Sequence, residues 1–295
     1  MARRTNSKRS ERENIVRWIK ILEEENRALE RKYEAYENDV RRLVNDFIQQ
    51  HGIDVTEGNS DWRNEVTQKE KKQLENEIAD LIEDDITDMA KEEADRLNVP
   101  NKTRYLDYLI LASGIRSIRL HSDTEKRLER VLTLRIVEEF DRQETLVGLD
   151  RQYIINHIDE AVRLGVQQGD WKDTIWGIHQ KELHEDVSNL IRRSVVRGEN
   201  PRKIARELNK KIGTSRYNAE RLMRTEQASV QAQSQLQSYN AQDIYWYDLM
   251  VEPSACDICK DVASNNPHPV KNASRGYNIQ PLHPNCLCST VGRLE

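Results

Sequence analysis

All four cysteines of the chain lie in one stretch near its end, as Cys256-Asp257-Ile258-Cys259 and Cys286-Leu287-Cys288, with His283 just ahead of the second pair in His283-Pro284-Asn285-Cys286. Two short chelating pairs separated by a loop is the ligand spacing of a zinc site, in which thiolates close a tetrahedron and replace the core that a loop-rich segment cannot build. Five donors compete for four positions. The expected ligands of one Zn2+ are Cys256, Cys259, Cys286 and Cys288, with His283 either an alternative fourth ligand or a group that holds a thiolate or a backbone carbonyl. Two disulfides satisfy the same count, as do four reduced thiols packed as small apolar side chains. The redox compartment decides between them, and a chain without a secretory signal meets a reducing cytosol.

Other polar clusters carry less. His179, Glu182 and His184 lack the His-Glu-x-x-His order of a metalloprotease helix, and a five-residue spacing puts the two imidazoles on different faces. Arg224-Thr225-Glu226 is followed by a Gln-rich segment with no Glu-x-Glu. Arg224 and Glu226 are therefore expected to pack, fixing their helix to the strand or metal module through charge-assisted hydrogen bonds. His268 lies in the wrong part of the cysteine loop to be a ligand. The carboxylates of residues 75–95 read as a solvated helix face.

One ordered set of short motifs points further. Trp171 is followed by Val196-Arg197-Gly198-Glu199-Asn200-Pro201, which leads to Ile204-Ala205 and Leu208. Arg221-Leu222-Met223-Arg224-Thr225-Glu226, Trp246, the first cysteine pair and Pro281-Leu282-His283-Pro284-Asn285-Cys286-Leu287-Cys288 come next. Together they resemble the head-morphogenesis domain of tailed-phage minor head proteins, the family related to the F protein of phage Mu, over residues 165–292. The chain departs from the family at Leu287, where Cys-Arg-Cys is usual, so no anion contact is expected from this position while the thiols stay intact.

The resemblance implies a structural minor head (capsid) protein rather than an enzyme. It would reside in the virion head near the portal, and act in head assembly and in DNA packaging or ejection. The implied partners are the phage portal protein and the capsid or scaffold proteins, with phage DNA a candidate for the basic N-terminal arm. Gly198, Arg224, Glu226 and Trp246 take structural roles in this reading. Two others compete. His283-Pro284-Asn285 beside paired cysteines suggests a metal-dependent nuclease of the His-Asn-His kind, but no Asp-His pair supplies its catalytic metal. A DNA-binding zinc module would have only the sparse cations Lys260, Lys271, Arg275 and Arg293 for phosphate contact.

The elements that must position these residues read as helices. With 295 residues, 37% hydrophobic against 33% charged and only two Phe, the chain is poor in apolar side chains for its length. The expected fold is therefore mainly α, an elongated multi-helix protein with a thin core and a small C-terminal β/loop zinc-knuckle-like module. A net charge of −5 argues against wholesale coating of nucleic acid. The charge is uneven, since Arg3, Arg4, Lys8, Arg9 and Arg12 crowd the first dozen residues. No apolar run is long enough to span a bilayer or serve as a signal peptide, so the protein is expected to be soluble in the host cytoplasm during assembly, with no membrane partner.

Three contiguous regions are expected: 1–100, a basic arm and helical hairpin for docking; 101–165, a helical middle; and 166–295, the head-morphogenesis domain with its Cys/His module at 244–292. Residues 1–9 read as a disordered arm. From Ser10 to Gln50 two interleaved series, Ile15-Leu22-Leu29-Tyr36-Leu43 and Ile19-Asn26-Tyr33-Val40-Phe47, give a heptad seam, suited either to a coiled coil or to packing on the second helix of the same chain. That second helix runs from Asp61 to Leu97. A short helix stops at Gly114, a Ser122-x-x-Glu125 capping box opens another, and Asp150 and Asp170 start two more. Asn200 caps a helix that ends at Gly213, and a last one reaches Gln242. Residues 244–251 form a strand, pairing with 277–280 and 287–292.

Overall fold

The computed structural model describes residues 2–53, 61–197, 199 and 201–294. The chain is mainly helical, with one small sheet at its C-terminal end. In order, α1 spans Ala2–His51, α2 Gln68–Glu83, α3 Asp88–Asp95, α4 Tyr105–Val147, α5 Arg151–Val162, α6 Trp171–Thr174, α7 Lys181–Arg197, α8 Pro201–Ala241 and α9 Asp257–Ser264. Five-residue and six-residue π-helical turns, Arg163–Gln167 and Ile175–Gln180, follow α5 and α6. Strands β1 (Trp246–Met250), β2 (His268–Pro269) and β3 (Ser289–Gly292) form an antiparallel sheet in the order β2-β1-β3. Among the described residues no helix is long and apolar enough to cross a membrane.

The helices assemble into two compact units, each discontinuous in sequence. One comprises residues 1–27, 127–171 and 220–295; the other comprises 28–126 and 172–219. Helices α1, α4 and α8 each give one stretch to each unit, so the spatial division is not the contiguous one suggested by the sequence.

Several helix boundaries differ from the expectation for reasons that lie outside each helix. The basic arm is helical from Ala2. Lys8 pairs at 2.6 Å with Asp248, which is almost fully buried, and Ser7 and Glu11 are buried too. Tertiary contacts thus order a segment with no apolar stripe of its own. Along α1 the buried positions run Glu11, Ile15, Trp18, Leu22, Glu25, Leu29, Tyr33, Tyr36 and Val40, a helical period on one face, while Asn26 and Leu43 are only partly buried. The partners of this face lie chiefly on α4 and α8: Arg142 with Glu11 and Arg127 with Glu25 in the first unit, Arg216 with Glu30 and Asn209 with Glu37 in the second.

The expected helix 61–97 is interrupted. Thr67 caps α2 with a full capping box to Glu70, and Thr87 caps α3. Conversely, the expected stops at Gly114 and Gly213 are absent. Gly114 sits inside α4, where a Cβ would meet the His184 ring at 3.1 Å, so that any larger residue would have to push the ring aside by a few tenths of an ångström. Gly213 is carried through α8 by burial of Leu208, Ile212 and Ser215 on either side, and Thr214 bonds back to the Lys210 carbonyl as hydroxyls do within a helix. Ser122 and Glu125 open no helix. Ser122 Oγ accepts from the Thr87 amide at 2.9 Å, and Glu125 accepts from the Thr87 hydroxyl, so the pair secures the start of α3 from the middle of α4. Asp150 does cap α5, accepting from the Tyr153 amide at 3.0 Å. Gly198 and Asn200 lie outside the described residues.

Candidate metal centre

The strand that precedes the first cysteine pair is narrower than 244–251 and is buried on both faces. Tyr247, Asp248, Leu249 and Met250 are all buried, whereas Trp246 at its start is 43% exposed. Trp246 acts through its backbone, its carbonyl accepting from Arg293, and β1 pairs with Pro269 and His268 on one side and with residues 289–292 on the other. Residues 277–280 do not join the sheet. Gly276 has φ of 79°, and Asn278 folds its side chain back to the Ser274 amide, which turns this segment into a tight loop under Tyr247.

After β1 the chain turns at Pro253 and Ser254 and enters α9, placing Cys256 at the N-cap and Cys259 one turn in. The i, i+3 spacing at a helix start puts both sulfurs on one side. The second pair arrives from the His283–Cys286 turn, closed by the Cys286 amide donating to the His283 carbonyl at 3.1 Å and by Asn285 in the left-handed region at φ 69°. Cys259, Cys286 and Cys288 are buried together with Leu249, Ala255 and Leu282, whereas Cys256 is exposed. Leu287, where the resembling family carries arginine, is buried as well.

All four cysteines are free thiols, and with His283 they converge on Cys259. Cys256, Cys259 and His283 form one close group, and Cys259, Cys286 and Cys288 another, with the donor atoms of each within 4.8 Å of one another. His283 Nε2 lies 3.2 Å from the sulfurs of both Cys256 and Cys259, and the sulfurs of Cys259 and Cys286 are 3.9 Å apart. Metal–sulfur bonds of about 2.3 Å and metal–nitrogen bonds of about 2.0–2.1 Å give tetrahedral edges of about 3.5–3.8 Å, so these donors stand close to the spacing a bound ion requires. The cluster could hold a metal ion.

Its electrostatics suit a cation. The hydrogen bond from Cys288 lowers Cys286 to about 6, and the Cys259 backbone amide lowers Cys256. Burial pushes Cys259 up to about 12, and the bond to Cys286 together with burial raises Cys288. Burial pulls His283 down, but the Pro284 carbonyl and the nearby thiols outweigh it and raise it. One sulfur's negative charge is thus stabilised at its neighbours' expense, a conflict that a shared cation removes. Neither close group contains a carboxylate. His268 gives its Nε2 to the Val262 carbonyl and is apart from the cluster.

The Arg224-Thr225-Glu226 segment does face this module, and the hydrogen bond comes from its middle residue. Thr225 Oγ1 accepts from the Asn285 amide at 3.1 Å, next to Cys286, and one turn on Ser229 meets Arg275. Burial raises the Glu226 carboxyl, against the opposing pull of Arg275. Arg224 is partly buried in the same helix.

The residues that sequence reasoning missed form a buried polar seam joining α8 to β3. Gln235 donates to Ser289 at 3.0 Å and to Glu139 at 3.1 Å, while its Oε1 accepts from Gln280 and from the Thr290 hydroxyl, both at 2.7 Å. Gln231 reaches Ser289 at 2.5 Å, and the Tyr239 hydroxyl pairs with Thr290 at 3.0 Å. Glu139, fully buried, also accepts from Gln143 and pairs with Arg142, which pairs in turn with Glu11. Burial alone would raise the Glu139 carboxyl, but Arg142 and Arg135 hold it below its ordinary range. Arg135 lies over the Trp18 ring at 4.4 Å. The one sequence signal was the glutamine- and serine-rich run of α8, since side chains able both to donate and to accept are what a buried polar ladder needs.

Residues 185–291 match a protein-family model described as Phage Mu protein F like protein. The match covers less than half of the chain, lies within the stretch delimited by the sequence motifs, and supports the phage head-morphogenesis family. Comparison with curated proteins and with solved structures gave no match.

Proposed function

We propose that this chain is a structural minor head protein of a tailed phage, acting beside the portal in head assembly and in DNA packaging or ejection, and that its Cys/His cluster holds one structural Zn2+. The observation that carries the reading is the family match, whose span ends on β3 and takes in all five donors that the fold brings together. When bound, zinc would supply a crosslink between the start of α9 and the return loop, where few apolar side chains are available. The protein's own groups do the rest: Thr225 positions the turn ahead of Cys286, and the glutamine ladder fixes β3 behind Cys288.

The role is one of assembly rather than catalysis. A His-Asn-His nuclease needs an imidazole free to act as base, and His283 Nε2 is directed at two sulfurs. The portal and the capsid or scaffold proteins are the partners proposed, with phage DNA a further candidate for the basic N-terminal arm. Lys8 is withdrawn from that contact by its pairing with Asp248.

Co-expression with the portal, scaffold and major capsid proteins encoded alongside tests the reading. Procapsids purified on a gradient should carry the full-length chain only when portal is present. A chain absent from procapsids, or plasmid nicking with Mg2+, Mn2+ or Zn2+ that His283→Ala abolishes, would overturn it.

A further inference from the structure

Five donors surround a site that needs four, and the geometry chooses among them. We infer that the ion is bound by Cys256, Cys259, His283 and Cys286, with His283 a direct ligand and Cys288 outside the coordination sphere. The inference rests on the zinc reading above and specifies its ligands.

The first argument is the tautomer of His283. Its Nδ1 lies 2.7 Å from the Pro284 carbonyl oxygen, which can only accept, so the ring proton sits on Nδ1. Nε2 then presents a lone pair, and it points between the sulfurs of Cys256 and Cys259, 3.2 Å from each. A hydrogen bond from one ring nitrogen to a backbone carbonyl, with the other nitrogen turned toward the ion, is how metal-bound histidines are oriented. To hold a thiolate instead, His283 would have to carry protons on both nitrogens.

The second argument is the freedom of each donor to close on an ion. Cys256 is exposed at the start of a short helix, and His283 is partly exposed on a loop, so small shifts there disturb little packing. Cys286 follows the same loop and is the second-pair sulfur that stands 3.9 Å from Cys259. Cys288 is different. It directly precedes Ser289 and Thr290, which Gln231, Gln235 and Tyr239 lock in place. Cys288 groups with Cys259 and Cys286, while Cys256 groups with Cys259 and His283. A four-cysteine site would have to pull the anchored strand toward the exposed knuckle.

X-ray absorption at the zinc edge of the zinc-loaded full-length chain reads the ligand set directly. The expected first shell is three sulfurs and one nitrogen, at about one zinc per chain. Cys288→Ser should leave both stoichiometry and shell unchanged, whereas His283→Ala should lose the nitrogen and weaken zinc retention against a chelator by about 10- to 100-fold or more. A wild-type shell of four sulfurs overturns this assignment and leaves the zinc reading standing, even if a variant fails to fold. A chain that takes up no zinc sinks both.

Discussion

The cysteine module and the polar seam that adjoins it lie in the same compact unit, yet they are built in opposite ways. The module draws its donors from two short local turns, Cys256 to Cys259 and His283 to Cys288. The seam joins residues far apart in the chain: Gln235 and Glu139 are separated by 96 positions, Arg142 and Glu11 by 131. A local cluster can be completed by an ion that joins its two turns. A long-range network exists only once α1, α4, α8 and β3 are in place, and each missing member leaves charged or amide groups buried without partners. With an ion bound the module would be a crosslink; the seam is a test of correct assembly.

Removing one end of the seam should have the largest effect. Deleting residues 1–27 takes away Glu11, Ile15, Trp18 and Leu22, and exposes Met250 and Val291, which pack on Ile15. The expected outcome is insoluble protein, or protein without cooperative thermal unfolding. A soluble, cooperatively melting 28–295 fragment would show that the seam is dispensable and the contrast mistaken.

Stripping the module comes next. A structural zinc is worth on the order of 10 kcal/mol of folding free energy at neutral pH. Chelation is therefore expected to lower the melting temperature sharply and make residues 244–294 protease-sensitive, with reversal on adding zinc. Unchanged melting after verified metal loss breaks the crosslink account.

Glu139→Ala leaves Arg142, Gln143 and Gln235 facing an empty acceptor, and should cost about 3–5 kcal/mol by denaturant titration. A loss under about 1 kcal/mol would mean that water enters the seam and replaces the carboxylate.

Asp248 sharpens the comparison by pH. Burial pushes its carboxyl up, but Lys8 and Arg293 outweigh it and hold the group below its ordinary range. Stabilisation from a lowered carboxylate is complete above its unfolded value, about 3.9, and is lost as pH falls through the folded value. Asp248→Asn is therefore expected to cost about 1–3 kcal/mol near neutral pH, and progressively less as pH drops below about 4. A gap that stays constant with pH would assign the loss to packing. The smallest effect belongs to Thr225→Val, which removes the acceptor of the Asn285 amide: about 1 kcal/mol, with faster zinc release as its readout.

The cysteine spacing, the helical class and the caps at Asp150 and Thr87 follow from residues within a few positions of one another, and that is why they were legible, or in the case of Thr87 could have been. The same locality explains the family motifs, whose match over residues 185–291 needs no tertiary information. What the sequence could not decide was where local signals are overruled. Gly114 looks like a stop until His184 is brought against it, and Ser122 with Glu125 looks like a cap for its own helix until Thr87 arrives from another. The basic first residues look disordered until Asp248 is buried beside Lys8. Local spacing fixes which side chains are offered at a site. Only tertiary packing, by desolvating some groups and leaving others free to move, decides which of them are used.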